Sequence, residues 1–346
     1  MLNTTNLILI PFIISFLLTV AATPLSLIFI KKYKLIDDPK KRKHPAIIHK
    51  KPTPRGGGIP LFIGTIVTGL FFLPITKVTI GIFIASFLSL VIGILDDKYD
   101  ISPYLRFIVN IISAMIVVFT GANILFITNP FGGILNLNFL SYFASMLWII
   151  WVMNMLNWSK GVDGQMPGIV TISAIIIGFL SLRFNATDQN TIISTTLSFI
   201  IAGASLGFLL FNFYPAKIFP GYGATAIYLL LAVASILSSA KLATAILVMG
   251  IPMVDGVFTI IRRVLSGKSP FWHDNKHLHH LLLKKGWSVK KIALFYWFIS
   301  AILGAISLLL SSKEKLFAII MLAIIVGGGI LFLQLTIKSE ENENSI

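Results

Sequence analysis

The chain contains no cysteine. Disulfides and thiolate chemistry are therefore excluded, and zinc sites built on cysteine with them. Charge is scarce: only 12% of 346 residues are charged, with thirteen acids against twenty-eight lysines and arginines. There is no soluble module and no basic, aromatic-bearing surface, which excludes nucleic acid as a partner. The two-residue alternation expected of a membrane barrel is also missing. No internal repeat is evident.

What is there is apolar. Hydrophobic residues make up 56% of the chain and mean hydropathy is +0.90. Eleven stretches near or above the ~20 residues needed to cross a bilayer recur along it. They lie at about 7–30, 57–74, 78–95, 104–120, 139–157, 166–182, 191–213, 223–240, 242–260, 291–311 and 315–337. Backbone groups in lipid must pair internally, so these spans are expected to be helices. The expected fold is all-α and integral to the membrane: a polytopic bundle of about 11 helices (10–11), one domain over 1–337. A polar tail at 338–346 is expected to be disordered. Residues 121–138 alternate apolar and polar around Asn129-Pro130-Phe131-Gly132-Gly133 and read as a small outer β-hairpin. Met1–Asn6 has no basic residue and the first run is too long for a signal peptide, so that span is expected to be retained.

Charge placement sets the orientation. Residues 31–55 hold ten basic residues and 261–291 hold eight more. With Lys98, Arg106, Lys160, Lys217 and Lys338, 23 of 28 fall on one side, which the positive-inside rule makes cytoplasmic. The N-terminus is then outside and the C-terminus inside. The same lysines serve topology and attraction to anionic headgroups. Asn3-Thr4-Thr5 and Asn185-Ala186-Thr187 fit a glycosylation sequon and carry no assigned role.

The hydrophobic spans carry almost nothing reactive; the links on the basic side do. Asp96, Asp97 and Asp100 close the third span. Asp96 and Asp100 share a face if the helix continues. Paired carboxylates suit a hard cation that bridges to phosphate, and acids at a helix C-terminus oppose the macrodipole. A solvated helix end is the plain alternative. Asn154 and Asn157 lie three apart on one face, with Asp163 in the loop beyond; they could orient a base, a sugar or a water, or simply cap the helix. His273, His277 and His280 are spaced for one helical face, with His279 pointing elsewhere. With Arg262, Arg263 and Lys276 nearby, that segment suits an anion better than zinc. Asp255, near hydrocarbon, is a functional candidate, with Arg262 as its local partner in the plainer reading.

In this order, these elements resemble the polyprenyl-phosphate N-acetylhexosamine-1-phosphate transferase family. The matching stretches are His49-x-x-Pro52-x-Pro54-Arg55-x-Gly57-Gly58, Asp96-Asp97-x-x-Asp100-x-Ser102-Pro103-x-x-Arg106, Asn154-x-x-Asn157, Gly161-x-Asp163-Gly164, Phe211-Asn212-x-x-Pro215-Ala216-x-Ile218-Phe219, Asp255, Arg262-Arg263 and Pro270-Phe271 followed by Asp274-x-x-His277-Leu278-His279-His280. They cover roughly residues 35–290. The resemblance implies transfer of a sugar 1-phosphate from a UDP-sugar donor to polyprenyl phosphate, with release of UMP, at the cytoplasmic face of a bacterial plasma membrane. An oxygen of the lipid phosphate attacks the donor's β-phosphorus, while Mg2+ (or Mn2+) and basic groups neutralise developing charge. It also implies that Asp96 engages the lipid phosphate, that Asp97 works at the metal with Asp96, and that Asn157 and Asp163 contact nucleotide or sugar. The histidine segment (His277, His279 and His280) would hold the pyrophosphate, with Asp100 also in the catalytic set and Asn154, Asn212, Arg55, Arg106, Arg262, Arg263 and Asp255 binding substrate. A homodimer stays open.

Two positions depart from the family. Lys160 stands where an acid is usual, and Gly221-Tyr222 stands where the family has Gly-Asp, the aspartate being a magnesium ligand. Together they shift local charge by three units beside a dianionic pyrophosphate. Three readings follow: a transferase in which Lys160 takes part of the metal's role, a changed donor or acceptor, or a homologue that binds without turnover. A transporter and a lipid-binding scaffold are the competing classes. Transporters place ionisable residues near the midplane, and the span centres here are free of charge.

Overall fold

A computed structural model describes residues 5–40, 51–184, 188–237, 242–272 and 274–343. His49, His273, Asn3-Thr4-Thr5 and Asn185-Ala186-Thr187 lie wholly or partly outside the described residues, as does most of the basic loop before Pro52.

The chain is a helical bundle. After a π-helical turn at Thr5–Leu9, thirteen α-helices follow among the described residues: α1 Ile10–Lys32, α2 Gly58–Phe72, α3 Lys77–Tyr99, α4 Pro103–Phe119, α5 Leu140–Trp158, α6 Gln165–Ser181, α7 Gln189–Asn212, α8 Thr225–Ile236, α9 Leu242–Val248, α10 Gly250–Leu265, α11 Leu278–Lys284, α12 Val289–Ser307 and α13 Ser312–Glu343. Each of the eleven apolar stretches coincides with a helix, the ninth as the pair α9–α10 bent by 85°. Six of the helices are long and apolar enough to cross a membrane, seven counting the bent pair. α2, α4, α6 and α8 are shorter, at 12 to 17 residues.

Local chemistry sets the helix starts. Thr76, Ser102, Asp188 and Ser288 each accept a backbone N–H from the first turn of α3, α4, α7 and α12, satisfying donors that the helix itself leaves open. α8 is apolar all round, and every one of its residues is buried; such a helix belongs at a bundle centre. α1 and α7 pack along a seam of small residues. Ser15 Oγ donates to Ile200 O at 2.5 Å, and a Cβ on Gly203 would collide with the Phe12 carbonyl. Small residues let apolar helices approach closely where lipid supplies no hydrophobic drive. By contrast, α13 leaves Phe317, Ile324, Ile325, Phe332 and Leu335 exposed, as a lipid-facing helix does.

The hairpin expected within 121–138 is present: β3 (Phe126–Thr128) pairs antiparallel with β4 (Ile134–Asn136). A second pairing was not read from sequence. β1 (Ile36–Asp37) pairs antiparallel with β2 (Thr53–Pro54), drawing both ends of the basic loop together. α13 continues through Lys338 to Glu343, where a disordered tail was expected, and Lys285 Nζ meets Glu340 at 2.5 Å. The segment 261–290 holds the end of α10 and all of α11.

Candidate active site

Arg55 is fixed first by its backbone. Its N–H donates to Leu35 O at 2.9 Å, while Phe219 N donates to Pro54 O at 2.8 Å. The amides of Gly57 and Gly58 donate to Phe219 O and Pro220 O, both at 2.9 Å. The segment after residue 51 is thus laced to the one before α8. From that anchor the guanidinium reaches the end of α3: Nε lies 2.7 Å from Asp97 Oδ1 and Nη2 lies 3.3 Å from Asp96 Oδ2. Asp100 ends α3 as a left-handed cap, φ 52°, and the chain turns back into α4. That turn brings Arg106 Nη1 to 3.2 Å from Asp96.

The turn before α8 supplies the next layer. Gly221 has φ 68°, a conformation glycine takes without penalty. A Cβ there would collide with the Asp97 carboxylate, so only glycine lets the turn pass. Tyr222 N donates to Asp97 Oδ1 at 2.8 Å, and its hydroxyl accepts from Asn110 Nδ2 at 3.1 Å. Lys160, just past α5, donates from Nζ to Gly221 O at 2.8 Å. Arg106 and Lys160 both lie over the Tyr222 ring, 5.0 and 5.7 Å from its centroid, within cation–π range. Burial pushes Lys160 down, the charge of Arg55 adds to this, and Asp97 and Asp96 oppose it; the result is about 7. A phosphate arriving beside the amine favours its charged form.

The opposite wall is the histidine segment. His277 precedes α11 with extended backbone. Its Nδ1 donates to Asp255 Oδ2 at 2.9 Å, and Leu278 N donates to Asp255 Oδ1 at 3.2 Å. The partner of Asp255 is therefore His277, not Arg262. The rings of His277 and His279 stack, centroids 5.7 Å apart and 4° from parallel. The shared helical face of His277 and His280 does not exist, because the helix begins one residue after His277. Burial, with His280 and His277 alongside, pushes His279 well below the ordinary imidazole range, so it is neutral at pH 7. Arg262 and Arg263 are taken by Asp274: Arg262 Nη2 lies 3.0 Å from both carboxylate oxygens, and Arg263 Nε lies 2.9 Å from Oδ2. Burial pushes Asp274 up. Hydrogen bonds from Arg263 and the Lys276 amide, with both arginine charges, outweigh it and hold the carboxyl down at about 2.

The two walls enclose one cleft of about 260 Å³. Of the residues read from sequence, Arg55, Arg106, Asn154, Asn157, Lys160, Asp163, Asn212, Arg263, His277, His279 and His280 line it. Asn212 brackets two turns, accepting from Gly164 N at 3.0 Å and donating to Ile218 O at 2.9 Å. Asp163 accepts from Ala216 N at 2.9 Å, and Asn154 donates back to Ile150 O. Buried Asn157 Oδ1 and His279 Nδ1 have no partner. Asp96, Asp97 and Asp255 sit buried behind the lining, while Asp100 is exposed and Arg262 lies outside it. Sequence reasoning missed Asp37, Trp158 and Trp272, which also line the cleft. Each adjoins a recognised element, but none has a chemical type that marks it alone.

The geometry has a counterpart in known proteins. Residues 79–239 match the model of glycosyl transferase family 4. A probable undecaprenyl-phosphate N-acetylglucosaminyl 1-phosphate transferase of Bacillus subtilis is 31% identical over 333 residues, 92% of this chain and 89% of that protein. The chain belongs to glycosyl transferase family 4. A decaprenyl-phosphate N-acetylglucosaminephosphotransferase of Mycobacterium tuberculosis is 30% identical over 320 residues, 81% of this chain and 78% of the relative. An undecaprenyl-phosphate alpha-N-acetylglucosaminyl 1-phosphate transferase of Haemophilus influenzae is 31% identical over 292 residues, 80% and 79% of the two chains. Family membership makes the protein a multi-pass membrane transferase.

Among the described residues, no group of three or more His, Asp or Glu side chains could hold a metal ion. Asp97 Oδ1 is occupied by Arg55 and the Tyr222 amide, and Asp96 by Arg55 and Arg106. Buried Asp96 Oδ1 and Asp97 Oδ2 have no hydrogen-bond partner among the described residues. The Tyr222 hydroxyl is held by Asn110. Arg55 and Arg106, fixed on the two carboxylates, and the amine of Lys160 beside them oppose a divalent ion placed among them. These residues do not fit Mg2+.

Proposed function

We propose that the protein transfers N-acetylhexosamine 1-phosphate from a UDP-sugar to a polyprenyl phosphate and releases UMP, starting a cell-envelope glycan. One observation carries this reading: the Arg55–Asp96–Asp97–Lys160 cluster and the His277–His280 segment, more than a hundred residues apart in sequence, face each other across one cleft. The names of the relatives support the same general reaction.

The chemistry follows from what each wall offers. An oxygen of the lipid phosphate attacks the β-phosphorus of the donor. The bond from that phosphorus to the oxygen bridging to the α-phosphate breaks, and UMP leaves with that oxygen. Charge builds on both phosphates, and fixed donors aimed at it lower the barrier. Arg55, Arg106 and Lys160 provide them on one wall; on the other, Arg263 is held by Asp274 and the imidazoles of His277, His279 and His280 line the cleft. Asp96 and Asp97, buried under Arg55 and Arg106, hold those arginines in place. Asn157 and Asp163 lie where a nucleotide or sugar would contact the cleft. The basic loops support a cleft at the cytoplasmic face, in a chain with eleven crossings, the N-terminus outside and the C-terminus inside.

The test is UMP release by purified protein from a panel of UDP-sugars with undecaprenyl phosphate. Release with at least one N-acetylhexosamine donor is expected. No release with any donor and any polyprenyl phosphate would defeat the proposal and leave a binding protein.

A further inference from the structure

Two carboxylates meet two arginines and the amine of a lysine at the cleft floor. Asp96 and Asp97 are paired by Arg55 and Arg106, and Lys160 is anchored on the Gly221 carbonyl directly above Asp97. A Mg2+ site is commonly one or two carboxylates with waters and substrate phosphates. Here Asp96 and Asp97 are each paired with protein cations, which leaves Asp96 Oδ1 and Asp97 Oδ2 without a hydrogen bond, and the place of a third carboxylate is filled by Tyr222, whose hydroxyl is bonded to Asn110. The Tyr222 ring face carries Arg106 and Lys160 instead. Lys160, Arg55 and Arg106 nevertheless all line the cleft, so their charge is offered to whatever enters it.

We propose that the cation of this site is built into the chain: Lys160, flanked by Arg55 and Arg106, binds the diphosphate of the nucleotide donor without a divalent ion. This rests on the reading that the cleft takes a UDP-sugar, and it deepens that reading. A lysine is a compact point charge with three donors, and arginine is a planar fork. Together they can meet the oxygens of two adjacent phosphates, which is the task a bridging metal performs. The arrangement is fixed by backbone contacts on both sides: Lys160 by the turn before α8, and Arg55 by Leu35.

The experiment uses full-length protein in detergent, with UDP as ligand and Mn2+ as the metal probe. UDP affinity is measured by calorimetry in EDTA and in Mn2+, and free Mn2+ is followed by electron paramagnetic resonance. UDP affinity should differ less than twofold between the two conditions, and the spectrum should stay that of free Mn2+ with UDP present. Lys160→Ala should weaken UDP at least tenfold in EDTA, and Lys160→Arg should recover most of it. The double variant Lys160→Asp/Tyr222→Asp should gain Mn2+ binding; a melting curve shows whether each variant is folded. UDP binding that tightens tenfold or more with Mn2+, or protein-bound Mn2+ in the native chain, would overturn the inference while leaving the transferase reading intact. If UDP binds under neither condition, the nucleotide-sugar reading fails first and this one falls with it.

Discussion

The two walls of the cleft treat charge differently. On the α3–α4 side, two buried carboxylates are shared among Arg55, Arg106 and Lys160, with cations in excess. On the histidine side, two acids answer two arginines and a histidine: Asp274 ties Arg262 and Arg263, and Asp255 orients His277. The first wall therefore keeps positive charge available for phosphate. The second spends most of its charge on holding a loop and presents oriented imidazoles. Residue types alone suggested the reverse, with acids and a metal on one side and free arginines on the other.

Substitutions can break that contrast. The largest effect is expected from Arg55→Ala, which leaves two adjacent buried carboxylates short of their shared partner. Breaking such a pair costs about 3–5 kcal/mol, read as a clear drop in melting temperature together with loss of UMP release. A native-like melt would show that Arg106 alone sustains the aspartates. Asp97→Asn keeps an acceptor for the Tyr222 amide but removes the charge that positions Arg55. Turnover should fall at least about a hundredfold, since misplacing a group by an ångström costs that much. Full activity would place Asp97 outside the machinery.

On the other wall, Asp255→Asn should lower the maximal rate by about tenfold and spare UDP binding, because His277 loses its orienting carboxylate but stays in place. Equal loss in UDP affinity would mean that Asp255 supports the wall as a whole. The smallest effect belongs to Asp100→Asn. Asp100 is an exposed left-handed cap, and asparagine tolerates that conformation. Stability should change by less than about 0.5 kcal/mol and UMP release should be unaltered. A large loss would restore Asp100 to the catalytic set.

Much of this was legible in the sequence because apolar length and the positions of polar links are one-dimensional signals. Each of the eleven apolar stretches holds a helix among the described residues, and the hairpin announced itself through Asn129-Pro130 and Gly132-Gly133. The convergence of Asp96 and His277 on one cleft followed from their sharing one side of the basic loops. What stayed hidden depends on pairing across the fold. Nothing near Asp255 names His277 as its partner, twenty-two residues on. The helical spacing of the histidines misled because His277 lies just outside α11. The β1–β2 pairing is two residues long on each strand, too short for any alternation to show. Lys160 and Tyr222 stood out only as departures; their shared geometry, an amine over a phenol ring, needed coordinates.

The account stands on both walls serving one reaction, and a labelled-donor assay tests this most directly. UDP-N-acetylglucosamine carrying labelled β-phosphorus would be incubated with undecaprenyl phosphate and native protein, Asp97→Asn or His279→Ala, each shown to be folded. Label should pass into the lipid with the native chain and with neither variant. Undiminished transfer by either variant would mean that its wall takes no part, and that the cleft is not the single site described.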